Sequence, residues 1–216
     1  LFRSPTDVRT PGRPRRPARP RRPPATSLVA ARLLERLGVV FDRDIAECLY
    51  IALVTDTGSF KFDLTTPEVH ELAARLVATG INVGEISRRI FDTRPFGAVR
   101  LFGEVLGRAE LDPAAAGGRG MVCAVATLDD LARHDQPPYI LEALIDSIRC
   151  TAEADVALLL KQVAPEEWAI SMRSKGGADV SEVAVAMGGG GHRLAAGFTG
   201  HGTAEEIISA VRARLG

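Results

Sequence analysis

The chain has 216 residues, 46% of them hydrophobic and 25% charged, with a formal net charge of zero. These are values of an ordinary soluble globular protein, long enough for one large domain or two small ones, and they exclude a low-complexity or collagen-like chain. No apolar run reaches the length of a membrane span, no secretory leader is legible, and three widely spaced cysteines read as reduced thiols of a cytoplasmic protein rather than a disulfide framework.

The zero net charge is an average over two unlike segments. Residues 1–24 carry eight arginines (Arg3, Arg9, Arg13, Arg15, Arg16, Arg19, Arg21 and Arg22) against Asp7, interleaved with prolines. Proline fixes φ and removes backbone donors, so residues 1–25 are expected to form a disordered or extended segment. A basic arm for nucleic-acid phosphates is the functional alternative, weakened by the lack of aromatic residues beyond Phe2.

From Thr26 the texture becomes helical. Thr26 or Ser27 is expected to cap a helix through Leu28, Leu33 and Leu37 that stops at Gly38. Asp42 or Asp44 opens a second apolar helix, through Ile45, Leu49 and Leu53, that runs into Thr55-Asp56-Thr57-Gly58-Ser59-Phe60. Thr66-Pro67-Glu68 starts a third, whose apolar residues Val69, Leu72, Ala73, Leu76 and Val77 follow helical spacing as far as Gly80. Two more helices are predicted around Val83–Phe91 and Phe96–Leu106.

The second half mixes strands and helices. Gly117, Gly118 and Gly120 suggest a hairpin turn before a strand at Met121–Leu128, and an amphipathic helix follows over Tyr139–Cys150. Val156–Val163 and Trp168–Arg173 read as paired strands. A helix over Val180–Met187 leads into Gly188-Gly189-Gly190-Gly191-His192, then a brief strand near Gly197–Thr199 and a last helix over Ala204–Leu215. The fold class is therefore α/β, with a mostly helical part over residues 26–108 and a small α/β domain over residues 109–216.

Four consecutive glycines cost backbone entropy, and they let the main chain approach a ligand and turn its amides toward an anion. Arg193-Leu194-Ala195-Ala196 is expected to begin a short helix, which would place the run at a helix N-terminus, with His192 and Arg193 as added donors. A slack surface loop is the alternative, disfavoured by the packing residues Ala195, Ala196 and Phe198.

The segment from Gly188 to Phe198, preceded by Ser171-Met172-Arg173-Ser174-Lys175 and Val180-Ser181-Glu182-Val183-Ala184, resembles the glycine-rich signature of the C-terminal domain of DHH-family phosphoesterases, of the oligoribonuclease and phosphoadenosine-phosphate phosphatase type. The resemblance spans about Thr26 to Gly216. It implies that Arg173, Ser174 and the loop Gly188, Gly189, Gly190, Gly191 and His192 bind the substrate's phosphate and ribose. Asp56 matches the family's Asp-Thr-Gly-Ser-Phe motif, which implies a catalytic metal ligand, usually to a pair of manganese ions, with Phe60 and Phe62 lining a nearby cleft. Read alone, Asp56 is better explained as a turn aspartate, although a carboxylate at a helix C-terminus opposes the dipole.

By the same resemblance the activity is two-metal hydrolysis of short RNA or DNA oligonucleotides, of linear dinucleotides, or of 3′-phosphoadenosine 5′-phosphate, and a homodimer is allowed. The family's Asp-x-Asp and Asp-His-His segments have no counterpart here: Asp42 and Asp44 have the spacing but read as helix caps. Residues 1–23 are accordingly read as the product of a shifted reading frame or truncated gene, and catalysis is expected to be weak or absent. A non-catalytic nucleotide- or RNA-binding module and a decayed gene product are the alternatives.

Overall fold

The computed structural model describes residues 25–62 and 64–216. The expectations for the Arg/Pro-rich segment before Ala25 lie outside the described residues. The chain divides into two compact units, 1–93 and 94–216.

The described part of the first unit is helical: α1 (Thr26–Arg36), α2 (Arg43–Asp56), α3 (Pro67–Val77) and α4 (Val83–Phe91). Their apolar faces close on one core containing Leu28, Leu49, Leu53, Leu72, Leu76 and Ile86. The helix starts at α2, α3 and α4 follow from local chemistry. Asp42, Thr66 and Asn82 each accept a backbone N–H in the first turn, and Pro67 supplies a preset φ. Asp42 is thus a helix cap, as its position suggested.

The start of α1 departs from the sequence expectation. Its N-cap is Ala25, and neither Thr26 nor Ser27 caps it through its side chain. The orphan amide of Ser27 instead donates to Asp56 Oδ2 at 3.0 Å, 29 residues away in sequence. A local residue did not have to cap the helix because a distant carboxylate does.

The second unit begins with α5 (Phe96–Gly107), followed by β1 (Glu110–Asp112), β2 (Met121–Ala126), α6 (Leu128–Arg133), a 3-10 turn (Pro138–Ala143), α7 (Leu144–Ile148), β3 (Val156–Ala164) and β4 (Glu167–Ser174). It closes with α8 (Val180–Ala186), β5 (Gly190–His192), β6 (Ala195–His201) and α9 (Ala204–Leu215). The six strands form one sheet in the order β1-β2-β3-β4-β6-β5, with only β2 and β3 parallel. The β1–β2 connection turns through left-handed Ala116 and Gly117, so the glycines there do serve a strand reversal.

Three boundaries differ from the sequence reading. Helix α5 belongs to the second unit rather than the first, because Leu101, Phe102 and Val105 are buried with Val122, Leu131 and Leu144. The helix expected over Tyr139–Cys150 is split, its first half being the 3-10 turn that starts at Pro138. Residues 193–196 start no helix. Ala195 and Ala196 open β6, which pairs with both β4 and β5.

The sheet has two unlike faces. Met172, Ile170 and Trp168 of β4 and Ala196 and Phe198 of β6 are buried with Val183 of α8 and Val211 of α9. On the opposite face, α5, α6 and α7 enclose Val122, Ala124, Ala157 and Leu159 of β2 and β3. No residue of β4, β5 or β6 belongs to that second core. Half of one sheet face therefore lies outside the apolar core and is partly open, its Ser171, Arg173, Ala195 and Gly197 half-buried, and side-chain alternation decides which residues stand on it.

Candidate functional site

Register places three of the sequence-predicted residues, Arg173, Gly190 and His192, on that face. Arg173 of β4 pairs with Ala195 of β6, and Ala195 pairs in turn with His192 of β5. Directly paired residues of antiparallel strands share a face. Arg173 and His192 consequently flank Ala195 in a single row, with backbones roughly 10 Å apart across two strand spacings. The next row is Ser171, Gly197 and Gly190. The result is a floor of small residues between a guanidinium and an imidazole.

The glycine run has separate physical reasons at separate positions. Gly188 takes φ +82 as it leaves α8, and a Cβ on Gly189 would meet the Gly197 carbonyl oxygen at 2.2 Å. Gly191 has φ +139, and a Cβ there would lie 2.5 Å from Ala196 Cα. Gly190 is different: a Cβ built on it meets nothing within 4 Å. Three glycines are needed to make the turn and the close strand pairing, while the fourth leaves space in front of the floor. The run is thus the edge strand of a hairpin, where it was expected to precede a helix. An anion at this edge would meet backbone and His192 without help from a helix dipole.

The side chains differ in availability. His192 is exposed. Arg173 is half-buried; its Nη1 donates to the Met172 carbonyl at 2.9 Å, and it forms no ion pair among the described residues. Burial lowers the Arg173 pKa, Asp146 and Glu142 oppose that shift, and Arg149 adds to it. Such a guanidinium is desolvated in advance and still lacks an anion. Arg193, in contrast, turns away to donate to the Gly176 carbonyl at 3.1 Å.

Ser174 is used inside its own loop. Its hydroxyl lies 3.1 Å from Asp155 Oδ2 and 2.8 Å from the Ala178 carbonyl, and it accepts the Gly176 N–H at 2.9 Å. Asp155 also accepts the N–H groups of Gly177 and Ala178 at 3.0 and 2.9 Å. Sequence reasoning took Ser174 for a ligand contact and passed over Asp155, which clamps the loop following β4.

In the first unit, the Asp-Thr-Gly-Ser-Phe motif forms a left-handed turn after α2. Gly58, Ser59 and Phe60 all have φ between 56° and 61°. The fully buried Thr57 holds the turn: its hydroxyl donates to the Leu53 carbonyl at 2.7 Å and accepts the Phe60 N–H at 3.2 Å. A Cβ on Gly58 would enter the ring of Phe62, and Phe60 stacks on His70 with centroids 5.1 Å apart. Consecutive non-glycine residues in this region cost of order 1 kcal/mol each, so the turn is retained against its own strain.

Asp56 is half-buried at the end of α2, with Oδ2 occupied by the Ser27 amide. The dipole objection is answered here, because this carboxylate sits at the N-terminus of α1. Among the described residues, no group of three or more His, Cys, Asp or Glu side chains is gathered to hold a metal ion. One carboxylate with one oxygen taken does not fit a two-metal centre. No helix among the described residues is long and apolar enough to cross a membrane.

The DHHA1 domain model matches residues 115–216, which contain the open face and the glycine run. The chain is 33% identical over 196 residues to the bifunctional oligoribonuclease and PAP phosphatase NrnA of Thermus thermophilus, covering 88% of this chain and 57% of that protein. It is 23% identical over 175 residues to an uncharacterized protein of Mycoplasma pneumoniae, covering 81% of this chain and 51% of that one. Among solved structures, an exopolyphosphatase-related protein from Bacteroides fragilis superposes with a TM-score of 0.79 at 25% identity, over 88% of this chain and 55% of that chain. The chain spans about half the length of these relatives. Residues 115–216 match the DHHA1 domain, and over most of its length the chain is similar to a bifunctional oligoribonuclease and PAP phosphatase.

Proposed function

We propose that the second unit binds the phosphate end of a nucleotide on the open sheet face, between Arg173 and His192, and that its ligands are short RNA or DNA oligonucleotides or adenosine 3′,5′-bisphosphate-type nucleotides. One observation carries the reading: the register that puts Arg173, Ala195 and His192 in one row beside Gly190. The small floor allows a flat group to lie against the backbone, and the two cationic or donating side chains suit a phosphate between them. The NrnA relative's name, oligoribonuclease and PAP phosphatase, points to the same ligand class.

Phosphoester hydrolysis in this family is expected to use manganese, with Asp56 as a ligand. The described residues do not supply the remaining ligands, so no hydrolytic step is derived for this chain. Binding without efficient hydrolysis is the expected behaviour.

Isothermal titration with adenosine 5′-monophosphate tests the binding reading. His192→Ala should weaken the affinity by about tenfold or more, the value of a hydrogen bond to a charged group. Unchanged affinity in a folded His192→Ala variant removes the site.

A further inference from the structure

We propose that Lys161, on β3 at the border of the open half of the face, is a second anion-binding residue held in reserve by Glu142, and that it selects ligands carrying a second phosphate group. This rests on the reading that the Arg173–His192 row binds the first.

Lys161 is paired with Ala169, while Arg173 is paired with Ala157. Residues 157, 159 and 161 of β3 alternate onto one face, the face that carries Arg173, Ser171 and Ala169 on β4. Lys161 is only 7% exposed, in a strand whose preceding five residues are fully buried aliphatics. Burying an ammonium costs several kcal/mol unless it is paired and hydrogen-bonded. An ammonium has three N–H donors. Among the described residues Lys161 has one side-chain acceptor, Glu142.

That acceptor reaches solvent. Glu142 stands on the 3-10 turn with 66% of its side chain exposed, so its carboxylate keeps contact with water while the ammonium it pairs with is buried. Its carboxylate also lies within the electrostatic reach of Arg173, whose charged form it favours. One carboxylate is therefore paired with Lys161 and lies near a second cation, Arg173, without pairing with it. A phosphate seated at Arg173 repels that carboxylate, and a second phosphate of the same ligand can replace it at Lys161.

The spacing fits a molecule longer than a mononucleotide. Positions 161 and 173 lie four residues apart along the paired strands, roughly 13 Å at the backbone, with two long side chains to close the gap. A 5′-phosphorylated dinucleotide can present a phosphate to each end of such a track. Adenosine 5′-monophosphate has a phosphate for one end only.

Titration of the full chain with adenosine 5′-monophosphate and with 5′-phosphorylated diadenylate separates the cases. Lys161→Met, which keeps the stem and removes the charge, should weaken the dinucleotide by about tenfold and leave the monophosphate within about twofold. Glu142→Gln should strengthen the dinucleotide severalfold by removing the competing carboxylate. The proposal is overturned if Lys161→Met changes both ligands equally or neither, or if Glu142→Gln weakens or leaves unchanged the dinucleotide, as an ordinary structural ion pair would. Should Lys161→Met fail to fold, the exposed Glu142→Gln variant decides alone. Failure of the underlying site reads out separately, as monophosphate binding that is indifferent to His192→Ala.

Discussion

Alanine at Gly190 and alanine at Gly191 should have opposite effects on stability, although the two residues are neighbours of the same type. At Gly191 the backbone has φ +139, a region that only glycine enters cheaply, and the new methyl would lie 2.5 Å from Ala196 Cα and 2.6 Å from the Ala195 carbonyl oxygen. The backbone term alone is of order 1–3 kcal/mol, and opening the β5–β6 pairing adds to it. A loss of about 3 kcal/mol or more is therefore expected. At Gly190 no positive φ opposes the substitution and the methyl meets open space. Removing glycine's freedom from the unfolded chain should stabilise by about 0.4–1 kcal/mol. Trp168 is the sole tryptophan and is buried in β4, so its fluorescence during urea unfolding follows the second unit specifically. The same Gly190→Ala variant should bind adenosine 5′-monophosphate more weakly, since its methyl occupies the space in front of the floor. Equal destabilisation by both substitutions would refute the geometry of the hairpin, and a stable Gly190→Ala protein with unaltered affinity would refute the location of the site.

Asp130 provides a pH-dependent test. Burial opposes its ionisation, but Arg108, 2.6 Å away, together with the N–H and hydroxyl of Thr127, outweighs burial and holds the carboxyl at about 2. A carboxyl depressed below its unfolded value stabilises the fold above about pH 4, and that contribution, about 2 kcal/mol, disappears as pH falls from about 4 to 2. Urea midpoints followed by Trp168 should show this slope in the native chain and a flatter one in Asp130→Asn. Asp56→Ala should cost the first unit about 1 kcal/mol through the lost cap on α1, with or without manganese, as read by far-ultraviolet circular dichroism during unfolding. A metal-dependent cost would mean that the carboxylate's main task is not capping. Purified chain should show little manganese-dependent release of product from short oligonucleotides; robust release that Asp56→Ala abolishes would contradict the reading of the described residues as lacking a metal centre.

Local signals in this sequence were sufficient where one residue's neighbours along the chain decide the outcome. The spacing of Val69, Leu72, Ala73 and Leu76 specifies α3, and Thr66-Pro67 its start. The β-rich runs at Val156 and Trp168 are the two central strands. The glycine run and His192 were legible as a motif. Thr127-x-x-Asp130 was also legible as a capping box, a signal that sequence reasoning passed over.

What remained hidden depends on contacts between distant segments. Arg193-Leu194-Ala195-Ala196 has nothing against a helix start until Ala195 pairs with both Arg173 and His192. Nothing near Ala25 reveals that Asp56 caps α1, and nothing near Ser174 reveals that Asp155 holds its loop. Sequence determined the residue types available for binding an anion and the elements that carry them. Only tertiary structure decided which of them share a face, because strand register, which no single segment contains, sets whether a side chain points into the core or across an open sheet.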